Sequence, residues 1–163
     1  MAITFNADEI FEMAEEIERN GAKFYREAAK KTADKETEKL LLDLAEMEDG
    51  HLQTFREMRK ELAPREKEQL IYDPDNQALR YLQVMADSHG AEGKKSLTEK
   101  LTGEETPRQL FEIAIQAEKD SIVFYSGLKN LVPPKAGGDK VEAVIREELA
   151  HVAALEEKLN TLR

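Results

Sequence analysis

Two segments of this 163-residue chain repeat one another at an offset of 100 positions. Residues 10–25 align on residues 110–125 without a gap, and six of the aligned pairs are identical. The correspondence extends further along the chain, because a Glu-x-x-His motif at residues 48–51 returns at residues 148–151. Two copies are too few for a solenoid. The repeat therefore predicts two copies of one helical hairpin, packed as a pseudo-twofold bundle.

Capping and breaking residues set the limits of the first hairpin. Asn6 can cap a helix with Glu9 as its capping-box partner, and the helical pattern continues to about Lys31. Asp34 can cap a second helix, which runs until Pro64 makes continuation costly. Because only a few residues separate the two helices, they are predicted to form an antiparallel hairpin.

The second hairpin shows the same kind of signals. Thr106 supplies a cap residue, and Pro107 follows at the first helical position, where proline is favoured. The third helix is predicted to end near Leu131, before a pair of prolines. A Gly-Gly-Asp sequence at residues 137–139 then leads into a fourth helix that reaches almost to Arg163.

The segment between the hairpins contains several glycines and is predicted to be a long, partly helical crossover. Asp73-Pro74 can begin a short helix within it. Period-2 alternation is nowhere sustained, so no sheet is predicted. The predicted fold is all-α, a four-helix bundle in one domain over residues 1–163, with hairpin 1 at about 6–62, the crossover at about 63–106 and hairpin 2 at about 106–163.

Each predicted helix carries carboxylates or imidazoles inside an apolar stripe. In the first helix, apolar and small residues are spaced alternately three and four apart, and Glu18 lies in the middle of this stripe. Residues three apart share a helix face, so each Glu-x-x-His motif can present both side chains to one point. The candidate site residues are Glu18, Glu48, His51, Glu118, Glu148 and His151.

The spacing of these residues from the turns places them at one level of the bundle. Glu18 and Glu48 are centred on Ala33 in the first turn, and their repeat mates are centred on Pro133, where the second turn begins. At about 1.5 Å per residue, all six lie roughly 20 Å from the turns. They are therefore predicted to converge near the middle of the bundle.

Four buried carboxylates require a counter-charge. Without one, each would cost several kcal/mol or become protonated, which a marginally stable domain does not tolerate. Two divalent cations would balance the four negative charges. Oxygen and imidazole ligands without a thiolate suit iron or manganese, and a coordination shell open to a small oxidant suits iron. The predicted cofactor is a pair of iron ions, with manganese or another divalent metal as the alternative.

A single Glu-x-x-His motif in a chain with 34 acidic residues is more often a solvated helix face than a metal site. Four interior carboxylates that repeat at one offset, with two of the three histidines, favour the metal site. The remaining histidine, His89, has no such context and is predicted to be a surface residue. Tyr25 and Tyr125 are either core aromatics or partners of the site. A buried phenol needs a hydrogen-bond partner, which favours a bond to a metal-bound carboxylate.

The candidate ligand set resembles that of the ferritin-like di-iron carboxylate superfamily, in which two helices each supply a Glu and two others each supply Glu-x-x-His. The segments Glu18 to Tyr25 and Glu118 to Tyr125 are most similar to the rubrerythrin branch. This resemblance implies that the six candidate residues bind iron. It also implies that the glutamates of the two Glu-x-x-His motifs bridge the two irons.

Two departures from the rubrerythrin pattern bear on the chemistry. Rubrerythrins usually carry a further Glu three residues after the third-helix ligand, which an iron takes up on oxidation in exchange for a histidine. Ser121 occupies that position here, and Gly21 is its repeat mate. We therefore expect His51 and His151 to stay bound in both oxidation states. Rubrerythrins also commonly carry a cysteine-ligated, rubredoxin-like iron domain, for which this chain has no cysteine.

The resemblance implies a redox enzyme that reduces hydrogen peroxide or dioxygen. Its electrons are expected from an external donor protein, either rubredoxin-like or a flavoprotein, and the chain is expected to form a homodimer. The alternative is ferritin-like iron handling, in which iron(II) is oxidised and then released to storage or to a partner. A third interpretation is a structural bundle with an accidental site, which would be equally stable without metal.

The charge of the chain argues against several kinds of partner. Its 34 acidic residues outnumber the 24 basic ones and give a formal charge of −10, which repels nucleic-acid phosphates and anionic lipids. No apolar run approaches the ~20 residues of a membrane span, and the N-terminal residues lack a basic region followed by an apolar one. We therefore expect no nucleic-acid or membrane partner and a cytoplasmic location.

Overall fold

The computed structural model of the chain describes residues 7–62, 77, 80–81, 101–132 and 137–162. These residues contain helices and no strand, so the all-α prediction is confirmed. The four long helices are α1 (Ala7–Lys31), α2 (Lys35–Glu61), α3 (Pro107–Leu131) and α4 (Gly138–Thr161). None of the described helices is both long enough and apolar enough to cross a membrane.

The helix caps predicted from the sequence are formed where the structure describes them. The side chain of Asp34 accepts a 3.0 Å hydrogen bond from the backbone N–H of Thr37 at the start of α2. Thr106 and Gln109 form a reciprocal capping box at the start of α3. At α4 no side chain caps the helix; instead, Gly137 has a φ of 109°, which a glycine adopts without strain. The predicted cap at Asn6 lies outside the described residues.

Neighbouring helices run antiparallel. The α1–α2 and α3–α4 hairpins pack so that α1 lies against α3 and α2 lies against α4. The ends of α2 and α4 are joined by ion pairs, with Lys158 Nζ 3.1 Å from Asp34 and Lys140 Nζ 3.5 Å from Glu61. Because α2 and α3 consequently run in the same direction, the connection between them links opposite ends of the bundle.

Most of the predicted crossover lies outside the described residues. Gln77, Arg80 and Tyr81 are helical, in agreement with a helix following Asp73-Pro74. The side chain of Tyr81 is partly buried against the hydrophobic core. His89, predicted to be a surface residue, lies outside the described part of the chain.

Two apolar clusters fill the bundle, one toward each end. The first, called the Phe55 cluster, consists of Ile10, Phe11, Ala14, Phe55, Met58, Leu62, Phe124, Tyr125, Leu128, Val132, Val141 and Val144. The second, called the Phe24 cluster, consists of Phe24, Tyr25, Ala28, Ala29, Leu41, Leu44, Ala45, Phe111, Ala114, Ile115 and Leu155. Every helix contributes to both clusters, so the polar side chains between them are held from both sides.

The capping box at the start of α3 yields a stability prediction. Replacing Thr106 with Ala removes the acceptor for the backbone N–H of Gln109 and should lower the free energy of unfolding by about 1 kcal/mol. Urea denaturation of the metal-free protein measures the effect. The variant Thr106→Ser keeps the hydroxyl and should retain most of the wild-type stability, whereas an equal loss in both variants would contradict the capping role.

Candidate metal centre

The six predicted site residues lie together in one buried layer between the Phe55 and Phe24 clusters. We call this set the central layer. No member is more than 4% exposed to solvent: Glu18, Glu48, His51, Glu118, Glu148 and His151. Each residue lies within the apolar stripe of its helix, and that stripe faces the interior of the bundle. Helical periodicity therefore places these polar groups inside.

The central layer is built around two imidazoles that face the carboxylates through Nδ1. His51 Nδ1 lies 3.2 Å from Glu148 Oε1 and 3.5 Å from Glu18 Oε2. His151 Nδ1 lies 2.9 Å from Glu148 Oε2 and 3.3 Å from Glu48 Oε1. The two rings are stacked with their centroids 5.6 Å apart. Both histidines therefore direct the same nitrogen toward the middle of the bundle.

These residues form two overlapping groups of potential metal ligands. In each group, one ligand atom from every residue lies within 4.8 Å of the others. One group is Glu18, Glu48, His51 and Glu148, and the other is Glu48, Glu118, Glu148 and His151. Glu48 and Glu148 belong to both groups. The arrangement can thus hold two cations side by side, with two carboxylates shared between them.

Many polar atoms of the central layer have no hydrogen bond of normal geometry within the described part of the chain, although they lie close together. These buried atoms are Glu18 Oε2, Glu48 Oε1, His51 Nδ1, both carboxylate oxygens of Glu148, and both ring nitrogens of His151. Buried polar groups are usually satisfied, because each unsatisfied one costs desolvation energy. Apart from His151 Nε2, which lies on the outer side of its ring, these atoms face the middle of the layer, and carboxylate oxygens and imidazole nitrogens placed in this way fit metal coordination.

Burial also perturbs the ionisation of the carboxylates in the absence of metal. It raises the pKa of Glu18 to about 8 and the pKa of Glu118 to about 7, and it raises the pKa of Glu48 as well. Burial opposes the charged form of His151, but the nearby carboxylates of Glu118, Glu148 and Glu48 favour the protonated ring more strongly and raise the pKa of His151 to about 12. Without a cation, the central layer must therefore hold protons to offset its carboxylates.

Two tyrosines connect the repeats crosswise. The hydroxyl of Tyr25 on α1 donates a hydrogen bond to Glu118 on α3, and the hydroxyl of Tyr125 on α3 donates one to Glu18 on α1. Burial, reinforced by these carboxylates, raises the pKa of both tyrosines well above its ordinary value, so the hydroxyls remain donors. The predicted bond to a site carboxylate is therefore present. The structure adds that each partner lies in the other repeat.

The small residues at positions 21 and 121 differ in their surroundings. A Cβ atom at Gly21 would lie 3.4 Å from the carboxylate of Glu48, at van der Waals contact, so this position borders that carboxylate. Ser121 is partly buried, and its hydroxyl donates a 3.0 Å hydrogen bond to the carbonyl of Ala117 in its own helix. The Gly21 position thus faces the site, while the Ser121 hydroxyl bonds to the backbone of its own helix.

Comparison with known proteins shows the family of this chain. The family model for rubrerythrin matches residues 9–157 of the chain. The chain belongs to the rubrerythrin family. A crystal structure from Thermotoga maritima, of a protein described as ferritin-like and diiron-carboxylate, is similar with a TM-score of 0.70 and 27% identity, over 96% of each chain. No curated protein matches the chain significantly. The prediction of a ferritin-like, rubrerythrin-type bundle is confirmed.

One polar contact of this rubrerythrin-family site is not predicted from the sequence. Glu147 Oε2 on α4 lies 2.9 Å from His51 Nε2 on α2, the ring nitrogen that points away from the carboxylates. The repeat gives no signal for this contact, because the residue corresponding to Glu147 in the first repeat is Met47. The contact also joins two helices, so spacing along one helix does not reveal it.

The raised pKa values in this rubrerythrin-family protein predict how pH affects its metal-free form. Between pH values of about 4.5 and 8, the folded chain binds more protons than the unfolded chain, because the folded pKa values of Glu18 and Glu118 exceed 4.5. The raised pKa of His151 acts in the same direction above 6.5. The lowered pKa of Glu148 affects the difference in bound protons only below pH 4.5. Stability, measured by thermal unfolding, should therefore fall as the pH rises through this interval.

The variant Glu118→Gln tests the origin of this pH dependence. A neutral amide can still accept the Tyr25 hydrogen bond but cannot ionise. The metal-free variant should be more stable than the wild type near pH 8, with a shallower dependence on pH. The same substitution at Glu157, which is exposed on α4, is the matched control and should leave the wild-type curve unchanged. Metal-free stability that rises between pH 5 and 8 would contradict the assignment.

Proposed function

We propose that this chain is a non-haem di-iron redox protein that reduces hydrogen peroxide with electrons from an external donor protein. The observation that supports the proposal is the central layer, where unsatisfied carboxylate and imidazole atoms form two ligand groups sharing Glu48 and Glu148. The similarity to a structure described as a ferritin-like diiron-carboxylate protein agrees with iron as the metal. Dioxygen is the alternative oxidant, and manganese or another divalent ion is the alternative metal.

The proposed ligand assignment follows from the two groups. Glu18 and His51 would bind one ion, Glu118 and His151 the other, and the shared pair of glutamates would bind both. A pair of iron(II) ions would supply the two electrons that, with two protons, convert hydrogen peroxide into two water molecules. Four carboxylates would then balance two divalent ions, and the protons that burial imposes on the metal-free layer would be released.

The residues around the layer have separate roles in this proposal. The two tyrosine hydroxyls donate to Glu118 and Glu18, which orients these carboxylates. In Glu18 the other oxygen, Oε2, lies 3.5 Å from His51 Nδ1. The Phe55 and Phe24 clusters close the layer from above and below and exclude water from it. The low exposure of the ligands strengthens their electrostatic interaction with a cation.

The external donor is proposed because of what the sequence lacks. The chain has no cysteine, so none of its 163 residues can provide thiolates for a second iron centre. If both irons were oxidised, further turnover would need electrons from outside these 163 residues, and we propose a separate donor protein as their source. A rubredoxin-like protein or a flavoprotein has suitable one-electron or two-electron chemistry.

The first test of the proposal is metal content. After anaerobic reconstitution with iron(II), the wild type should contain two ions per chain. The variant Glu48→Ala removes a carboxylate shared by both ligand groups and should lose most of the second ion. Glu46→Ala changes an exposed glutamate on the same helix and should keep both ions. Well under one ion per chain in the wild type would exclude a di-metal centre.

The second test is the reaction with peroxide. The reduced, iron-loaded protein should consume about one hydrogen peroxide per pair of irons in a single rapid phase and then stop, because no second redox centre refills the site. An added electron carrier should restore turnover with both irons retained. Stopped-flow absorbance and metal analysis after the reaction measure these outcomes. Release of iron after oxidation would indicate iron handling, and NAD(P)H-driven turnover by the chain alone would contradict the external donor.

A further inference from the structure

The two halves of the central layer differ at the outer nitrogens of the histidines. His51 Nε2 lies 2.9 Å from a carboxylate oxygen of Glu147. His151 Nε2 is buried and has no hydrogen-bond partner among the described residues. The residue that corresponds to Glu147 in the first repeat is Met47, whose thioether is at best a weak acceptor. The residues of the central layer therefore follow the pseudo-twofold symmetry, but the hydrogen bonding of the outer nitrogens of the two histidines does not.

Glu147 reaches this position from the surface of the bundle. Its side chain is 52% exposed, whereas that of His51 is 4% exposed. The glutamate stands immediately before Glu148 on α4, but it bonds to a residue on α2. It thus contacts a member of the buried layer without belonging to either ligand group.

We infer that Glu147 is a positioning residue that sets the tautomer and orientation of His51 and thereby makes the two metal positions unequal in affinity. A carboxylate oxygen accepts hydrogen bonds, so the proton of a neutral His51 is held on Nε2. Nδ1 then presents its lone pair to Glu18 and Glu148, where the ion would lie. His151 has no comparable acceptor in the described part of the chain, so its ring is held less firmly.

Carboxylates in this position have a characteristic effect on metal sites. A carboxylate that accepts from the outer N–H of a histidine ligand fixes the ring and raises the basicity of the nitrogen that binds the metal. Removing such a partner typically costs about 10- to 100-fold in metal affinity. The ion bound by His51 should therefore be held more tightly than the ion bound by His151. The inference rests on the two-metal centre of the proposed function, but not on its reaction with peroxide.

The test is an anaerobic titration of the metal-free protein with cobalt(II), followed by visible absorbance, which reports binding without any redox turnover. The wild type should bind two ions with distinct dissociation constants. In Glu147→Ala the tighter constant should weaken by about 10- to 100-fold, while the weaker one stays unchanged. Glu147→Gln keeps an oxygen acceptor but loses the charge, and it should fall between wild type and Glu147→Ala.

Two further variants separate positioning from general charge or folding effects. Glu157→Ala removes the same charge from an exposed position on the same helix and should leave both constants unchanged. Met47→Glu adds the missing carboxylate at the corresponding position of the first repeat and should strengthen the weaker site. Because Glu147 is half exposed, Glu147→Ala should keep the wild-type circular dichroism spectrum. In the zinc-loaded wild type, ¹⁵N-edited NMR should show the His51 Nε2–H protected from exchange, and this protection should disappear in Glu147→Ala.

The outcomes distinguish the positioning role of Glu147 from the two-metal centre on which it rests. A loss confined to one ion in Glu147→Ala, with Glu157→Ala unaffected, supports the positioning role. Two ions bound with wild-type constants in Glu147→Ala overturn that role and leave the metal centre standing. An equal loss at both positions overturns the claim that the residue distinguishes them. Failure of the wild type to bind cobalt(II) overturns the metal centre itself and this inference with it.

Discussion

A carboxylate that leaves water without a counter-charge costs several kcal/mol, and this bundle buries four of them in one layer. Two apolar clusters, one toward each end, supply the hydrophobic stabilisation that lets four helices hold such a layer. They do not remove the electrostatic cost, which is seen in the raised pKa values of Glu18, Glu48 and Glu118. Protons or cations must offset it, so a cation bound in this layer would add to the stability of the fold.

Neither hairpin completes the central layer alone. Tyr25 of the first repeat orients Glu118 of the second, and Tyr125 orients Glu18 in return. The shared glutamates come from α2 and α4, one from each hairpin. These reciprocal contacts follow from the antiparallel packing of α1 on α3, which brings the end of one helix level with the start of the other. The site is consequently a property of the paired repeats.

The repeat is least symmetric just outside the proposed ligands. Glu147 contacts one histidine, while the corresponding residue of the first repeat is Met47. Gly21 borders the carboxylate of Glu48, while the hydroxyl of Ser121 bonds to its own helix. The proposed ligands are the same in both halves, whereas their surroundings differ. Such neighbours can make two chemically similar metal positions differ in affinity, because they control the orientation of the side chains that bind the ions and the space around them.

The sequence alone determined the limits of the helices, their buried stripes and the six polar residues inside them. It could do so because capping and helical periodicity are local: Asp34 and Thr106 mark helix starts, and Glu18 takes its inward direction from neighbours three and four residues away. Only the tertiary structure decided which tyrosine bonds to which glutamate, and that Glu147 reaches His51. Those contacts depend on the direction and register of one helix against another. An exposed residue that bonds to a second helix leaves no periodic signal in the sequence of its own helix.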